Sequence, residues 1–217
     1  MPWPWTRKLT GSDAEVAVRV IRHLQTQAAL QQLAMETYND AMGVAGERMH
    51  KGDELFLRGM AAVDSPELAA QYVLPAAEKK VAIAESMVAE HQAFDISDAP
   101  KDAIAAYYKQ TEFLTVLLAR ARLQRTCWRD WVDNPSLGLS ERMNSLDQAE
   151  NESMLAAINE LNGLIKRAGV SGEPWLSINC AAFNDVRGRI GLPPLTETDF
   201  RARFLQGVSG GRARFFE

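Results

Sequence analysis

The feature that most constrains the fold is an apolar repeat that advances by alternating steps of three and four residues. It is clearest between residues 104 and 132, where it comprises Ile104, Tyr107, Leu114, Leu118, Ala121, Trp128 and Val132, and where Thr111 and Arg125 occupy the two remaining positions of the stripe. Such spacing places the side chains on one stripe of a helix. Because Phe113, Val116 and Leu117 lie outside the stripe, we expect other helices to cover this segment on several sides, which makes it the candidate central helix.

Start and stop signals for helices divide the chain into about six helical segments. Glycines predict a bend or break between residues 43 and 59, and Pro75 predicts a kink or restart. No strand pattern is evident. We therefore predict an all-α, single-domain bundle of about six helices with flexible or docked termini. Its predicted parts are an N-terminal aromatic and basic segment (1–11), the bundle (12–206) and a C-terminal tether with a docking-type tail (207–217).

Composition is typical of a globular protein, with 47% hydrophobic and 24% charged residues in 217. No apolar run is long enough to cross a bilayer, and the first residues lack a secretory signal pattern. The two cysteines, Cys127 and Cys180, have no neighbours at metal-ligand spacing. We expect both to be reduced, buried thiols in a cytoplasmic protein.

One segment offers a candidate coiled-coil contact. Met154, Ile158, Leu161 and Ile165 follow the alternating step, and Asn151 lies in the same register. A buried Asn in such a seam can select one pairing register. The alternative is an Asn at the edge of an ordinary bundle helix, which the sequence favours because the seam is shorter than three heptads.

A metal site is an alternative to a purely structural bundle. Glu47 and His50 are three residues apart on one helix face, and Asp53 and Glu54 lie in the next turn, as in ferritin-like carboxylate sites. That design requires a second Glu-x-x-His, but valines precede His23 and His91 at this spacing. The pattern therefore favours a solvated polar face, and we expect no bound cofactor.

Motifs for catalysis are weak. Residues 207–211 match the letters of the hydrolase motif G-x-S-x-G, but no histidine follows them and no strand precedes them. We interpret this glycine-rich stretch as a tether. Neither common phosphate-binding glycine loop occurs. The sequence therefore favours a non-enzymatic protein over an enzyme.

Arg122, Arg125 and Arg129 lie three to four residues apart near the end of the candidate central helix. Cations at this position complement the negative end of the helix dipole. The functional alternative is a small anion-binding face.

Both ends of the chain carry aromatic and basic residues. Arg201-Ala202-Arg203-Phe204 recurs as Arg212-Ala213-Arg214-Phe215, with the tether between the two copies. Aromatic anchors beside arginines are typical of linear docking peptides. The candidate partner-binding residues are Trp3, Trp5, Arg212, Arg214, Phe215 and Phe216. Alternatively, each terminus folds back onto its own bundle. Weak contact with an anionic membrane surface ranks below protein docking.

Nucleic-acid binding is a further alternative, because the C-terminal region is basic although the chain has a net charge of −4. The arginines concerned are Arg187, Arg189, Arg201, Arg203, Arg212 and Arg214. The sequence shows neither a large basic stripe nor a helix-turn-helix pattern, so this class ranks below protein binding.

Asn184-Asp185-Val186-Arg187 followed by Gly191-Leu192-Pro193-Pro194 resembles a short segment of tailed-phage portal proteins. The resemblance spans about eleven residues, has Asp in place of Glu, and is also explained by a helix with a glycine stop. The chain is shorter than a portal subunit. The resemblance therefore implies a phage or mobile-element origin rather than membership of that family.

These patterns together predict a helical adaptor, scaffold or accessory subunit. It would bind a partner protein through helical faces and its terminal aromatic and basic motifs. A second copy of the chain is a further candidate partner.

Overall fold

A computed structural model describes residues 8–49, 65–137, 145–208 and 214–217. These residues contain six helices and no strand, which confirms the predicted all-α bundle. None of the described helices is long and apolar enough to cross a membrane. The helices are α1 (Ser12–Met49), α2 (66–93), α3 (Lys101–Asp133), α4 (Asp147–Ala168), α5 (Glu173–Arg189) and α6 (Glu197–Val208).

Helix α1, rather than α3, is the central element. It packs against α2, α3, α4 and α5, whereas α3 lies mainly between α2 and α4. Four consecutive residues of α1, from Leu24 to Gln27, are buried, so other helices surround it at that level. The apolar repeat did not reveal this, because three of those four residues, Gln25, Thr26 and Gln27, are polar.

The irregularity expected at Pro75 occurs as a π-helical turn within α2. This turn covers Ala69–Val73 and joins the α-helical parts Pro66–Leu68 and Leu74–Ala93. Proline has no amide hydrogen, and its ring crowds the carbonyl four residues earlier. The Leu74 amide donates instead to the carbonyl of Ala69, five residues earlier, so the helix continues through the proline.

The ends of α1 and α4 show how local sequence sets the helix bounds. A bend or break is predicted between residues 43 and 59. α1 is continuous as far as Met49, and the rest of that range lies outside the described part of the chain. α4 ends at Gly169, whose φ of 72° is left-handed and whose amide donates to the carbonyls of Ile165 and Lys166. That conformation favours glycine and confirms the predicted stop.

Three of the four apolar clusters in the described part of the core include residues of α1. One joins α1 to α3 and α4 through residues such as Ile21, Ala106 and Leu164. Another joins α1 to α5 and α6 and includes Phe183 and Phe200. Both cysteines are buried, as expected, and no disulfide joins them.

The seam predicted on α4 is divided between core and surface. Met154 and Leu161 are half-buried and Ile165 is buried, but Ile158 is 44% exposed and Asn151 is exposed. Asn151 therefore lies at the outer edge of the helix in this chain. The arrangement matches the bundle-edge alternative, and a coiled-coil contact with another chain stays a prediction.

Replacing Ile21 with Ala should lower the free energy of unfolding by about 2 to 5 kcal/mol, because Ile21 is fully buried on the central helix. Urea denaturation followed by circular dichroism measures the change. Leu155, which is 56% exposed on α4, provides the control, and its replacement by Ala should cost under about 0.5 kcal/mol. Equal losses at the two positions would contradict the central placement of α1.

Candidate functional site

The last four residues of the chain lie against the bundle rather than apart from it. Phe215 is only 6% exposed, and its ring centroid lies 4.7 Å from that of Phe183 and 5.4 Å from that of Phe200. Phe216 stacks on Phe183 at 5.8 Å. We call the surrounding surface the tail groove and define it by Glu36 and Asp40 of α1, Phe183 and Arg187 of α5, and Phe200 and Arg203 of α6.

One wall of the tail groove is a carboxylate that binds main-chain amides. Glu36 is buried, and its two oxygens accept the amides of Phe215 at 2.9 Å and Phe216 at 3.1 Å. The side chain of Gln32, one turn earlier on α1, donates to the same carboxylate at 2.9 Å and holds it in place. Hydrogen bonds to a charged group contribute about 1.5 to 3 kcal/mol each, so these contacts fix the tail strongly.

The opposite wall is a guanidinium that binds main-chain carbonyls. Arg187 is 3% exposed, and its Nε donates to the carbonyl of Pro193 at 2.7 Å. Its terminal nitrogens donate to the carbonyl of Phe215 and, at 3.4 Å, to the main-chain oxygen of Glu217. Burial lowers the pKa of Arg187, as does Arg203, whereas Glu36 raises it. Arginine nevertheless stays protonated in proteins, so the groove presents a buried cation.

Ion pairs at the rim set the direction of the tail. Arg214 pairs with Asp40 of α1 at 2.7 Å and with Glu217 of the tail itself at 3.1 Å. Arg203 donates to the carbonyl of Arg214 and lies 3.6 Å from the carboxylate of Glu217. The first copy of the Arg-Ala-Arg-Phe repeat thus holds the second. Because these groups are partly exposed, each ion pair is worth at most about 1 kcal/mol.

The tail groove therefore has the chemistry of a peptide-binding site. It offers an acceptor for two consecutive amides, a donor for carbonyls, an aromatic pocket for one side chain and a carboxylate for a preceding arginine. Most of these contacts are with main-chain atoms, which any peptide has. The pocket and Asp40 supply the side-chain selectivity.

Sequence reasoning did not identify the walls of this groove. No sequence pattern singles out Glu36, and the basic C-terminal pattern places Arg187 among the candidate nucleic-acid contacts. Glu36 and Phe215 are 179 positions apart, so no local pattern links them. The one available signal was the repeated Arg-Ala-Arg-Phe motif, which drew attention to the tail.

The predicted partner-binding residues fall into two groups. Trp3, Trp5 and Arg212 lie outside the described residues. Arg214, Phe215 and Phe216 adopt the fold-back alternative, with their contacts made to their own bundle. The bundle also extends to Val208, two residues past its predicted end at 206.

The candidate anion-binding arginines face acidic residues of α2. Arg122 pairs with Glu85 at 2.7 Å and Arg129 with Glu78 at 3.2 Å. Arg125 is half-buried between them along α3. Two of the three positive charges thus have carboxylate partners in this chain, which supports the structural interpretation of the cluster.

The basic C-terminal region is likewise paired. Arg189 pairs with Glu90 at 2.8 Å, and Arg201 pairs with Glu173. Arg187, Arg203 and Arg214 hold the tail. Within the described part of the chain, these arginines make internal contacts and do not form a free basic stripe, and Arg212 lies outside it.

The structure does not place the candidate metal ligands. His50, Asp53 and Glu54 lie outside the described residues, and so does the side chain of Glu47. Among the side chains that are described, no group of three or more His, Cys, Asp or Glu residues has metal-binding geometry. The ferritin-like alternative stays a prediction.

Two histidines form a stacked pair that sequence spacing did not predict. A hydrogen bond of 3.0 Å joins Nε2 of His23 on α1 to Nδ1 of His91 on α2. Nε2 of His91 lies 3.2 Å from the carbonyl of Tyr107 and 2.9 Å from Oγ1 of Thr111. Since a carbonyl only accepts, we assign the Nε2 proton to His91, whose Nδ1 then accepts from His23.

A second polar cluster joins α1, α2, α3 and α4. Lys80 donates to Oε1 of Gln124 at 2.8 Å and lies 5.1 Å from the ring centroid of Tyr38. Burial lowers the pKa of Lys80 to about 8, helped by the charge of Arg120, whereas Glu150 and Asp147 raise it. Arg120 pairs with both of these carboxylates. Because the charges are paired within the bundle, we interpret the cluster as structural.

Replacing Phe215 with Ala should lower the free energy of unfolding by about 3 to 5 kcal/mol, because the ring fills a buried aromatic pocket. Leu205 of α6, which is 58% exposed, is the control, and its replacement by Ala should change stability by under about 0.5 kcal/mol. Thermal and urea unfolding measure both variants. If the Phe215→Ala variant has the same melting temperature as the wild type, the tail does not pack in the groove.

The histidine pair should make stability depend on pH. The pKa of both His23 and His91 is lowered from 6.5 to about 4, by burial for both residues and, for His23, also by the charge of His91. The unfolded chain takes up protons near pH 6.5 and the folded chain only near pH 4. The free energy of unfolding should therefore fall by roughly 1 to 3 kcal/mol between pH 6.5 and 5, and this contribution should be constant above that range.

Urea titrations across this range measure the effect, because most carboxylates titrate below pH 5. His23→Gln keeps an N–H donor for His91 and removes one titrating group. This variant should show about half of the wild-type pH dependence. An undiminished dependence would show that other groups cause it.

Comparisons with known proteins give no relative for this chain. No protein-family model, curated protein or solved structure matches it. Its function is therefore inferred from its own contacts, above all from those of the tail groove.

Proposed function

We propose that the protein is a non-enzymatic helical adaptor whose tail groove binds an aromatic and basic segment of a partner protein. Its own tail occupies the groove in the free protein and is displaced by the partner. The observation that carries this proposal is the paired use of Glu36 and Arg187. These two buried, opposite charges bind main-chain amides and a carbonyl of the chain's own residues Phe215 and Phe216.

A groove of this kind is more than ordinary packing of a chain end. A buried charge without partners is costly, and apolar residues would cover Phe215 without that cost. Glu36 and Arg187 instead supply an acceptor and a donor for an extended main chain. Such main-chain contacts provide affinity in peptide recognition, and the Phe183 and Phe200 pocket provides selectivity.

The tail then sets a threshold for partner binding. A segment tethered by a short linker has an effective concentration on the order of millimolar at its own site. A partner segment with the same contacts must exceed that concentration or add contacts elsewhere. Exposed apolar residues such as Leu155 and Ile158 on α4 are available for such additional contacts.

The test uses full-length protein with Phe215→Ala and Phe216→Ala, whose own tail lacks its two aromatic anchors. A fluorescein-labelled peptide with the sequence of residues 212–217 is titrated, and fluorescence anisotropy is measured. We expect saturable binding to this variant. Wild-type protein should bind at least about tenfold more weakly, because its tail competes.

Two controls separate specific from general binding. Adding Glu36→Gln to the double variant weakens the acceptor for the two amides and should reduce affinity by about tenfold. A peptide with Ala in place of its first phenylalanine should lose binding similarly. Absence of saturable binding up to about 1 mM peptide would rule out the groove as a docking site.

The compartment and origin belong to the same proposal. Two buried cysteines that are not bonded to each other fit a reducing, cytoplasmic compartment. An adaptor of phage or mobile-element origin agrees with the short portal-like segment at residues 184–194. No observation among the described residues favours the metal or nucleic-acid alternatives over protein docking.

A further inference from the structure

We propose that the groove of one chain accepts the tail of a second copy, so that two chains exchange tails reciprocally. This inference rests on the proposed groove function and names a partner for it. Apart from the ion pair between its own Arg214 and Glu217, every contact of the bound tail described above is with a residue of α1, α5 or α6. A tail from another chain would therefore find the same partners at the same distances.

Charge complementarity identifies this occupant. Arg214 of the tail faces Asp40, which lies 2.7 Å away, and Glu217 faces Arg203 at 3.6 Å. The two amides of Phe215 and Phe216 face the Glu36 carboxylate. A basic residue, two aromatic residues and an acidic residue occur in that order at the end of each copy of this chain.

Exchange also depends on the length of sequence between the bundle and the bound tail. Helix α6 ends at Val208 and the bound segment begins at Arg214, so five residues join them, two of which are glycines. Exchange of identical elements makes no new tail contacts and loses none, so it is a low-cost route to a dimer. It becomes populated as the chain concentration approaches the effective concentration of the tethered tail, which is on the order of millimolar.

The test reverses the charges of one rim pair in separate full-length proteins. Asp40→Arg opposes its own Arg214, and Arg214→Asp opposes its own Asp40, so each variant is mismatched within one chain. In an equimolar mixture, both grooves are matched only when the two proteins exchange tails. The double variant with both changes is matched within one chain and is the control.

Size-exclusion chromatography with light scattering and native mass spectrometry are run up to about 1 mM chain. We expect the mixture to form a one-to-one heterodimer at a level at least about threefold above the dimer of either variant alone. The double variant should behave like the wild type. Adding Phe215→Ala to both mixed proteins should remove the heterodimer.

A mixture with no more dimer than the separate variants would overturn tail exchange. So would a heterodimer that persists with Phe215→Ala in both chains, because another surface would then hold it. Peptide binding by the double variant Phe215→Ala/Phe216→Ala is measured separately from this dimerisation. If that peptide binds while the mixture stays monomeric, the groove function stands and only the second copy is excluded as its partner.

Discussion

Helix α1 is surrounded by its neighbours between Leu24 and Gln27, and this exclusion of water constrains the rest of the bundle. Polar groups at that level must find partners inside the protein. The hydroxyl of Thr26 does so by donating to the carbonyl of Arg22 on its own helix. The amide of Gln27 is fully buried, and neither its nitrogen nor its oxygen has a partner among the described atoms. Such a group costs about 1 to 3 kcal/mol, which the surrounding apolar packing must offset.

Because α1 occupies the centre, it contributes to the histidine pair, the Lys80 cluster and the tail groove. Its residues form a series along the helix, with His23 facing α2, Glu36 and Asp40 facing the tail, and Tyr38 facing α2 and α3. In the Lys80 cluster, the charged and polar groups bind one another through side chains of four helices. The tail groove differs from it, since the partners of its two buried charges include main-chain atoms of a peptide joined through a short linker.

That difference connects the structure to the proposed function. The charges around Lys80 and Arg120 keep their partners as long as the bundle is folded, because all of them lie on packed helices. Glu36 and Arg187 lose contacts whenever the tail leaves, and a peptide with the same main-chain groups can restore them. The proposed function requires the bundle to stay folded while the occupant of the groove changes.

The sequence by itself determined the helical class and several helix ends. Steps of three and four residues, the glycine at 169 and the proline at 100 act within one or two turns, so local patterns are sufficient to locate their effects. Only the tertiary structure decided which helix is central, how His23 meets His91, and where the tail lies. These features depend on residues far apart in the chain, such as Glu36 and Phe215. They also depend on polar residues such as Gln25 and Gln27. These residues are buried because neighbouring helices pack around them, and not because their side chains are hydrophobic.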